Sequence, residues 1–568
     1  MNKTILAALT AAAAWTAAAG IDIDLDLKAK PIKDMKGTAN GIAMGVNGAM
    51  EAWLSHVNGN DDILFVSNKV ETARIFREAG LRVMRLQGMN TWFNNRSKRT
   101  KDGKYPLTNP KAAFDFYQAN GIKVFVCLEC PDQGAVANCV EIIQWIVDNG
   151  YKDQVVGVEM GNETYASRDY YKRAEFWPQV IDAAHKIWPK LSFGIVIGEY
   201  MENDPDIAQI AARMKSSESL HHGWTYDTGY FSAGELNRNT ARFVEAMSNH
   251  LHKIDHIIYH GYGAETPYSC SYYGFQRFRN FIEAYPQLKG RNYWLTEVRL
   301  RSDEDNRCQR IFRETLLWSH YALMALCQPE TDALLQHQAS SLSGTVYQST
   351  GKSWAVQWMD GAKWGSREIP DRVSPYDMPR LEVGSMGVLY RLFTEAIMDH
   401  PQFLAHGTSK VRDAEDTFFT SARVTDQVYK RRRALIEGTP KDQAPKVEGE
   451  VEWVAAHGSG ELCLLMVNTK STPETFRVTV KDKLFYAPVY RTLSCPEEFV
   501  DCRAIPGDGP VWRQASWEET QFGVSHIPME AYANLKPKCD VLTVTIAPNT
   551  VQTVSVPLAN PPKPAAKK

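Results

Sequence analysis

The chain has 568 residues, of which 44% are hydrophobic and 23% are charged, and its formal net charge is −2. This is the composition of an ordinary globular protein with enough residues for more than one domain. The nearly neutral charge provides neither the basic surface that binds nucleic acid nor a polybasic segment for a membrane surface, so neither partner is expected. None of these features indicates an oligomeric state.

Residues 1–20 predict a secretory signal peptide. They contain one early lysine, an apolar run that begins at Ile5, and small residues at Ala17–Ala19. Cleavage is expected near Ala19 or Gly20, which implies a secreted or periplasmic protein. The run is short for a membrane span, and no later segment is apolar enough to cross a bilayer, so we expect no membrane span.

The segment 21–40 begins with a strict alternation of apolar residues and aspartates from Ile21 to Leu27. This alternation predicts a half-exposed strand. We expect the strand to pair with strands from the other end of the chain.

Between residues 41 and 400, predicted strands alternate with predicted helices. The strands are 41–46, 81–86, 122–128, 155–160, 191–198, 254–263, 293–297 and 331–340. The helices are 68–80, 111–119, 134–149, 167–188, 240–252, 274–285, 308–326 (amphipathic) and 384–398, and the loops include 87–95, 199–238 and 341–380. The pattern predicts an α/β fold, a (β/α)8 TIM barrel, whose two long insertions shape a substrate cleft.

After residue 400 the pattern changes to short alternating runs separated by turn residues. We interpret 401–558 as an antiparallel β-sandwich. Within it, the charged stretch 430–447 is expected to be a surface loop, with a polyanion site as the alternative. The tail 559–568 has the composition of a disordered segment.

Two glutamates follow or end buried strands of the predicted barrel. The apolar run 155–160 stops at Gly161-Asn162-Glu163, and the strand that begins at Tyr293 ends on Glu297. Strands four and seven of a TIM barrel end in one cleft, from opposite sides. Cleaving a glycosidic bond needs one carboxylic acid and one carboxylate on opposite faces of the sugar. A separation of about 5–5.5 Å predicts retention of configuration, and a much wider one predicts inversion.

These motifs resemble those of the retaining glycoside hydrolases of clan A, in which GNE ends the fourth strand and a glutamate ends the seventh. The resemblance covers about residues 41–400, and the order of barrel and sandwich looks most like the α-L-arabinofuranosidase and β-xylosidase branches. No single family is assigned. The resemblance implies hydrolysis of O-glycosidic bonds in poly- or oligosaccharides, with no cofactor and no metal.

The resemblance also implies roles for individual residues. Glu163 matches the acid/base and Glu297 the nucleophile. Asn162 matches an asparagine that hydrogen-bonds the sugar 2-hydroxyl. Arg85 matches an arginine that orients the nucleophile and keeps it ionised, although it could instead pair with a structural carboxylate.

Four further residues are candidates for the substrate cleft. His260 and Tyr262 match a polar pair near the sugar and the nucleophile, while a buried histidine in the core is the alternative for His260. Trp92 and Trp224 lie in predicted cleft loops. Either tryptophan could stack on a sugar ring, or it could serve only in local packing.

One departure from the resemblance concerns the end of the eighth strand. Many clan members place a tryptophan there, whereas this chain has Gln336-His337-Gln338. Trp354 or Trp358 from the following loop could replace it. The sugar, and the choice between internal and terminal cleavage, are therefore not predicted.

Two other glutamates, Glu129 and Glu199, also end predicted strands and are rivals as catalytic or cleft residues. Cys127 and Cys130 form a single CxxC pair without a second pair at zinc-ribbon spacing, so we do not expect a metal there. Cys495 and Cys502 flank a predicted turn and could form a disulfide. A non-catalytic carbohydrate-binding protein with a glycosidase barrel remains the alternative function.

Overall fold

The structure, a computed structural model, describes residues 20–37, 44–47, 80–98, 109–164, 170–197, 233–263, 275, 279, 281–300, 312–337, 343–345, 381–383, 385–409, 427, 430, 431, 433, 434, 437–440, 443–494, 518–520 and 536–561. The predictions for the signal peptide, for most of the two insertions and for the Cys495–Cys502 disulfide lie outside these residues.

Eight parallel strands form a closed barrel, in which the eighth strand pairs with both the seventh and the first. Two short strands precede it, β1 (Ile21–Leu25) and β2 (Lys33–Asp34). The barrel strands are β3 (Met44–Asn47), β4 (Val83–Leu86), β5 (Lys123–Leu128), β6 (Val155–Met160), β7 (Phe193–Val196), β8 (His256–Gly263), β9 (Asn292–Leu300) and β10 (Thr331–His337). Each overlaps a predicted strand. A separate antiparallel pair follows, β11 (Ser343–Thr345) with β12 (Leu381–Val383).

Helices connect the barrel strands wherever the structure describes the connections at length. The α-helices are α1 (Met89–Asn95), α2 (Pro110–Ala119), α3 (Gln133–Asp148), α4 (Trp177–Ile187), α5 (Ala233–Ala246), α6 (Phe312–Leu326) and α7 (Ser385–Asp399). Short 3₁₀ helices span Met35–Gly37, Lys152–Gln154, Tyr170–Glu175, Ser248–Lys253 and Pro286–Leu288.

Three predicted boundaries are wrong. The predicted loop 87–95 contains helix α1, whose residues Met89, Trp92 and Phe93 are buried at helical spacing. The predicted helix 167–188 is divided, because α4 starts anew at Trp177 with a proline in its first turn. Helix α5 begins inside the predicted loop 199–238.

The interior of the barrel contains a small apolar cluster centred on Trp294, which is 1% exposed. Two glycines make room for it and its neighbours. A Cβ at Gly157 would lie 2.5 Å from the Trp294 ring, and one at Gly194 would lie 2.5 Å from Ile258. His256 stacks on the same ring at 3.7 Å. The barrel is therefore a packed core at this level and not an open channel.

The C-terminal domain consists of two sheets whose apolar faces share one buried cluster. Its strands are β13 (Gln402–Thr408), β14 (Val451–Gly458), β15 (Glu461–Asn468), β16 (Glu474–Val480), β17 (Leu484–Phe485), β18 (Val489–Ser494), β19 (Glu518–Thr520), β20 (Val541–Ile546) and β21 (Thr550–Ala559). The large sheet has the order β19-β18-β21-β15-β14-β13-β2, with β17 beside β21, and the small sheet has the order β1-β16-β20. The N-terminal strands thus belong to this domain, since β1 pairs with β16 and β2 with β13.

Two predictions for this domain concern the charged stretch 430–447 and the tail 559–568. The positions described between 427 and 434 are helical, so the interpretation of 430–447 as a loop is wrong there. Strand β21 continues to Ala559, and the predicted disordered tail is outside the described residues from 562 onward.

The large sheet packs against helices α6 and α7 of the barrel. Every residue of α6 is buried, because the helix lies between the barrel and the sheet rather than at the surface, so the amphipathic prediction is wrong. At this interface Glu452 of β14 contacts His320 of α6 at 2.8 Å and also His406 of β13. Burial acts to raise the pKa of Glu452, but the two histidines hold it below its usual value. In the part of the chain that the structure describes, no helix is both long and apolar enough to cross a bilayer.

Candidate active site

The turn after β6 carries the first glutamate in an unusual backbone conformation. Gly161 has φ +98°, and a Cβ there would lie 2.4 Å from Thr164 Cγ2, so a residue without a side chain is needed. Glu163 itself has φ +46°, in the left-handed region that non-glycine residues rarely adopt. Such strain persists where the surroundings hold it, and it is frequent at functional sites.

The structure brings Glu163 and Glu297 together around His260. Nδ1 of His260 lies 3.2 Å from Glu163 Oε1 and 3.7 Å from Glu297 Oε2. A carboxylate oxygen of each glutamate and a ring nitrogen of the histidine all lie within 4.8 Å of one another. The side chain of Glu297 is 8% exposed, whereas that of Glu163 is 40% exposed. One carboxylate is therefore enclosed and the other faces solvent.

Arg85 of β4 is fully buried and binds three groups of the site. Its Nε donates to Glu159 Oε2 at 2.6 Å, one terminal nitrogen donates to Glu297 Oε2 at 3.1 Å, and the other donates to Asn162 Oδ1 at 2.8 Å. Burial acts to lower the pKa of Arg85, but the charges of Glu159 and Glu297 outweigh it and raise the pKa above its usual value. The guanidinium is thus a permanent cation beside Glu297.

Asn162 is oriented by the same arginine. Because its side-chain oxygen accepts from Arg85, the amide nitrogen is the group available for other partners. The backbone N–H of Asn162 donates to Glu129 Oε1 at 2.7 Å, and Arg173 donates to the other oxygen of Glu129. Glu129 therefore contacts the turn that carries Glu163.

His260 is fixed by its strand and by a second hydrogen bond. It lies within β8, directly opposite Glu297 of β9. Its Nε2 is 3.3 Å from the hydroxyl of Thr296. The prediction that Glu297 ends its strand is wrong, since β9 continues to Leu300.

The remaining predicted site residues are placed differently. Trp92 is 4% exposed and belongs to the barrel's hydrophobic cluster, an environment that favours packing over stacking on a sugar. Tyr262 lies in β8, but its side chain is outside the described residues, as are Trp224 and Glu199. Gln336 is buried near the end of β10.

Sequence reasoning missed Glu159, Thr296 and Arg173. Glu159 had a signal, since it is the one charged residue in the apolar run Val155–Met160. A carboxylate in such a strand needs a buried cation, and Arg85 is that cation. Thr296 adjoins a predicted catalytic residue, and nothing in the sequence around Arg173 indicated a contact with the turn.

Among the described residues, Glu163, His260 and Glu297 are also a group that could hold a divalent cation. Two carboxylates and an imidazole suit zinc and similar metals. The buried Arg85 guanidinium, which already contacts Glu297, opposes a second positive charge at this position.

No family model and no curated protein matches the sequence. Two arabinofuranosidases are among the solved structures that share the fold. AbfB, a family 51 α-L-arabinofuranosidase from Bifidobacterium longum, is 11% identical over 95% of this chain and 100% of its own, with a TM-score of 0.52. A family 51 arabinofuranosidase from Xanthomonas axonopodis pv. citri is 10% identical over 94% of this chain and 99% of its own, with a TM-score of 0.50.

At such low identity these similarities establish the fold and not the activity. They extend over both domains, so the barrel and the C-terminal sheet domain are matched together. The resemblance to clan A glycoside hydrolases is confirmed in architecture, and this chain has the fold of a TIM barrel followed by a sheet domain.

Proposed function

We propose that this chain is a retaining glycoside hydrolase that cleaves O-glycosidic bonds of poly- or oligosaccharides by double displacement. The observation that carries the proposal is the approach of the Glu163 and Glu297 carboxylates, which have oxygens within 4.8 Å of each other. Retaining enzymes place their two carboxyl groups about 5–5.5 Å apart, whereas inverting enzymes need about 6.5–9.5 Å to admit a water molecule.

In the first step Glu297 is the nucleophile. Its carboxylate attacks the anomeric carbon, the glycosidic C–O bond breaks, and a glycosyl ester forms on Glu297. Glu163 donates its proton to the departing oxygen. In the second step Glu163 removes a proton from water, which attacks the anomeric carbon and releases Glu297.

The exposures of the two carboxylates fit this division of labour. Glu297 is enclosed and bound by the Arg85 cation, which favours its ionised form. Glu163 is open to solvent, on the side from which an alcohol leaves and water enters. The amide nitrogen of Asn162, directed by Arg85, is the donor we assign to the sugar 2-hydroxyl.

Substitution of the two glutamates tests the proposal. Glu297→Ala should abolish hydrolysis of an aryl glycoside, and Glu163→Ala should abolish it for a poor leaving group. Azide should partly restore the Glu163→Ala variant on an activated glycoside, because azide attacks the glycosyl ester without needing a base. Glu141→Ala removes an exposed ion pair with Arg96 and is the matched control. Full activity in either site variant contradicts the proposal.

The substrate is to be found by screening. The panel should include aryl α-L-arabinofuranosides and β-xylosides, together with polysaccharides, because both solved structures described above are of arabinofuranosidases. Tight oligosaccharide binding without any product would favour the non-catalytic alternative.

Two further features belong to the proposal. We propose a complete (β/α)8 barrel, in which a helix near 68–80 connects the first and second strands. We also propose export by the N-terminal signal peptide. Mass spectrometry of the mature protein should find its first residue near position 20 if export occurs.

A further inference from the structure

Glu129 lies at the carboxyl end of the barrel, directly after β5, and the side chain of Asn90 holds its backbone through two hydrogen bonds. Its backbone N–H donates to Asn90 Oδ1 at 2.7 Å, and its backbone carbonyl accepts from Asn90 Nδ2 at 3.2 Å. Asn90 is in turn held by Asn138 of α3 at 2.9 Å. The backbone of Glu129 is thus held by Asn90 of α1, which α3 holds in turn.

That carboxylate links two segments of the site. Oε1 accepts the backbone N–H of Asn162 at 2.7 Å, and Oε2 accepts from Arg173 in the 3₁₀ helix 170–175. The bond to Asn162 is the main-chain anchor of a turn that contains Gly161 at φ +98° and Glu163 at φ +46°. A hydrogen bond from a backbone N–H to an ionised carboxylate is among the stronger kinds.

Among the described residues, the Glu129 carboxylate contacts the Asn162 backbone and Arg173, and no contact with the Glu163 side chain is found. The described contacts of the Glu163 side chain are with His260, and those of the Asn162 side chain are with Arg85. Neither side-chain contact fixes the backbone of the turn. Among the residues that the structure describes, the bond from Asn162 N–H to Glu129 is the contact that holds the backbone of the turn next to Glu163.

We propose that Glu129, supported by Arg173, is the positioning residue that holds Glu163 where it can protonate the leaving group. The inference rests on the proposed function, because it assigns a purpose to the Glu163 geometry only if Glu163 is the acid/base. It predicts a specific kinetic signature. Loss of Glu129 impairs acid catalysis while the attack by Glu297 is retained.

The experiment compares two substrates with the same sugar, found by the screen described above. The dinitrophenolate of a dinitrophenyl glycoside departs without being protonated. The alcohol of an unactivated alkyl glycoside departs only if an acid protonates its oxygen. Glu129→Ala should lower kcat/KM about 10- to 100-fold on the alkyl glycoside, a part of what a general acid contributes, and no more than about threefold on the dinitrophenyl glycoside. Glu129→Gln keeps an oxygen that can accept from Asn162 and should lose much less.

The controls separate positioning from folding and from the proposed function. Urea unfolding of each variant shows whether it folds. If Glu129→Ala is unstable, Glu129→Gln is compared with the wild type instead. The surface control Glu141→Ala should have the same kcat/KM as the wild type on both substrates. Equal losses on both substrates, or no loss on the alkyl glycoside, would overturn the positioning role. Glu163→Ala, assayed in parallel, must show the same signature more strongly. If it does not, the proposed function itself is refuted.

Discussion

Arg85 offers a direct perturbation of the site because it joins three groups with one fixed fork. Arg85→Lys keeps the positive charge but replaces the planar guanidinium with a single ammonium. Nε, the guanidinium nitrogen nearest the backbone, binds Glu159, and the two terminal nitrogens bind Glu297 and Asn162. A lysine can approach Glu159 but cannot reproduce both terminal contacts.

The expected magnitude follows from the lost hydrogen bonds. Each bond to a charged group contributes about 1.5–3 kcal/mol, and the two terminal bonds orient the nucleophile and the sugar-binding amide. If about 3–4 kcal/mol of their sum acts in the transition state, kcat/KM falls about 10²- to 10³-fold. The fold should survive, since the charge that compensates Glu159 remains. Arg85→Met leaves two buried carboxylates without a cation and should cost about 3–5 kcal/mol of stability.

The assay is kcat/KM on an aryl glycoside, together with urea unfolding. Arg433→Lys, at an exposed ion pair with Glu437, is the matched control and should change neither quantity. The pH profile adds a second readout. Arg85→Lys should keep the acidic limb in place, whereas Arg85→Met should move it to higher pH, because ionised Glu297 loses its cation. Retention of more than half of the wild-type kcat/KM in Arg85→Lys would refute this account.

Four further outcomes are expected. Gly157→Ala should destabilise the barrel by about 1–3 kcal/mol in urea unfolding, because its Cβ would lie 2.5 Å from the Trp294 ring; an unchanged midpoint would contradict the packing. Burial lowers the pKa of His256 to about 3. Below pH 6.5 His256 therefore becomes protonated in the unfolded chain but stays neutral in the folded one. The free energy of unfolding should therefore fall by up to about 2–3 kcal/mol between pH 6.5 and 4.5 because of His256. Unfolding measured at each pH should show a decrease smaller by this amount in His256→Phe. Glu452→Ala, at the interface of barrel and sheet, should cost about 3 kcal/mol or more in the same assay, and a smaller loss would mean that the interface tolerates its removal. Treatment with EDTA should leave hydrolysis unchanged, since the mechanism uses two carboxylates, and a loss restored by added metal would contradict it.

The barrel was predictable because its strands are buried on both faces and are therefore short continuous apolar runs. Val155–Met160 is an example, and the abrupt change to Gly161-Asn162-Glu163 marked the turn that carries the proposed acid/base. Helix α6 was predicted in place but with a solvent-facing side. Its burial depends on the sheet that packs over it, which is information from the far end of the chain.

The parts of the site that escaped prediction depend on contacts distant in sequence. The bond between Glu129 and Asn162 joins residues that follow two different strands, and the one from Arg173 comes from a segment that was predicted as ordinary helix. The positive φ of Glu163 was also invisible, because such a conformation is expected of glycine and not of glutamate. Local pattern singled out the two glutamates of the proposed catalytic pair, and only tertiary structure showed which residues hold them.

The central claim is that Glu163 and Glu297 cleave a glycoside by two successive displacements at one anomeric carbon. Proton NMR of the first product formed from an aryl glycoside, recorded before mutarotation, tests it most directly. The account predicts that the product initially has the same anomeric configuration as the substrate. An initial product of the opposite configuration would contradict the account.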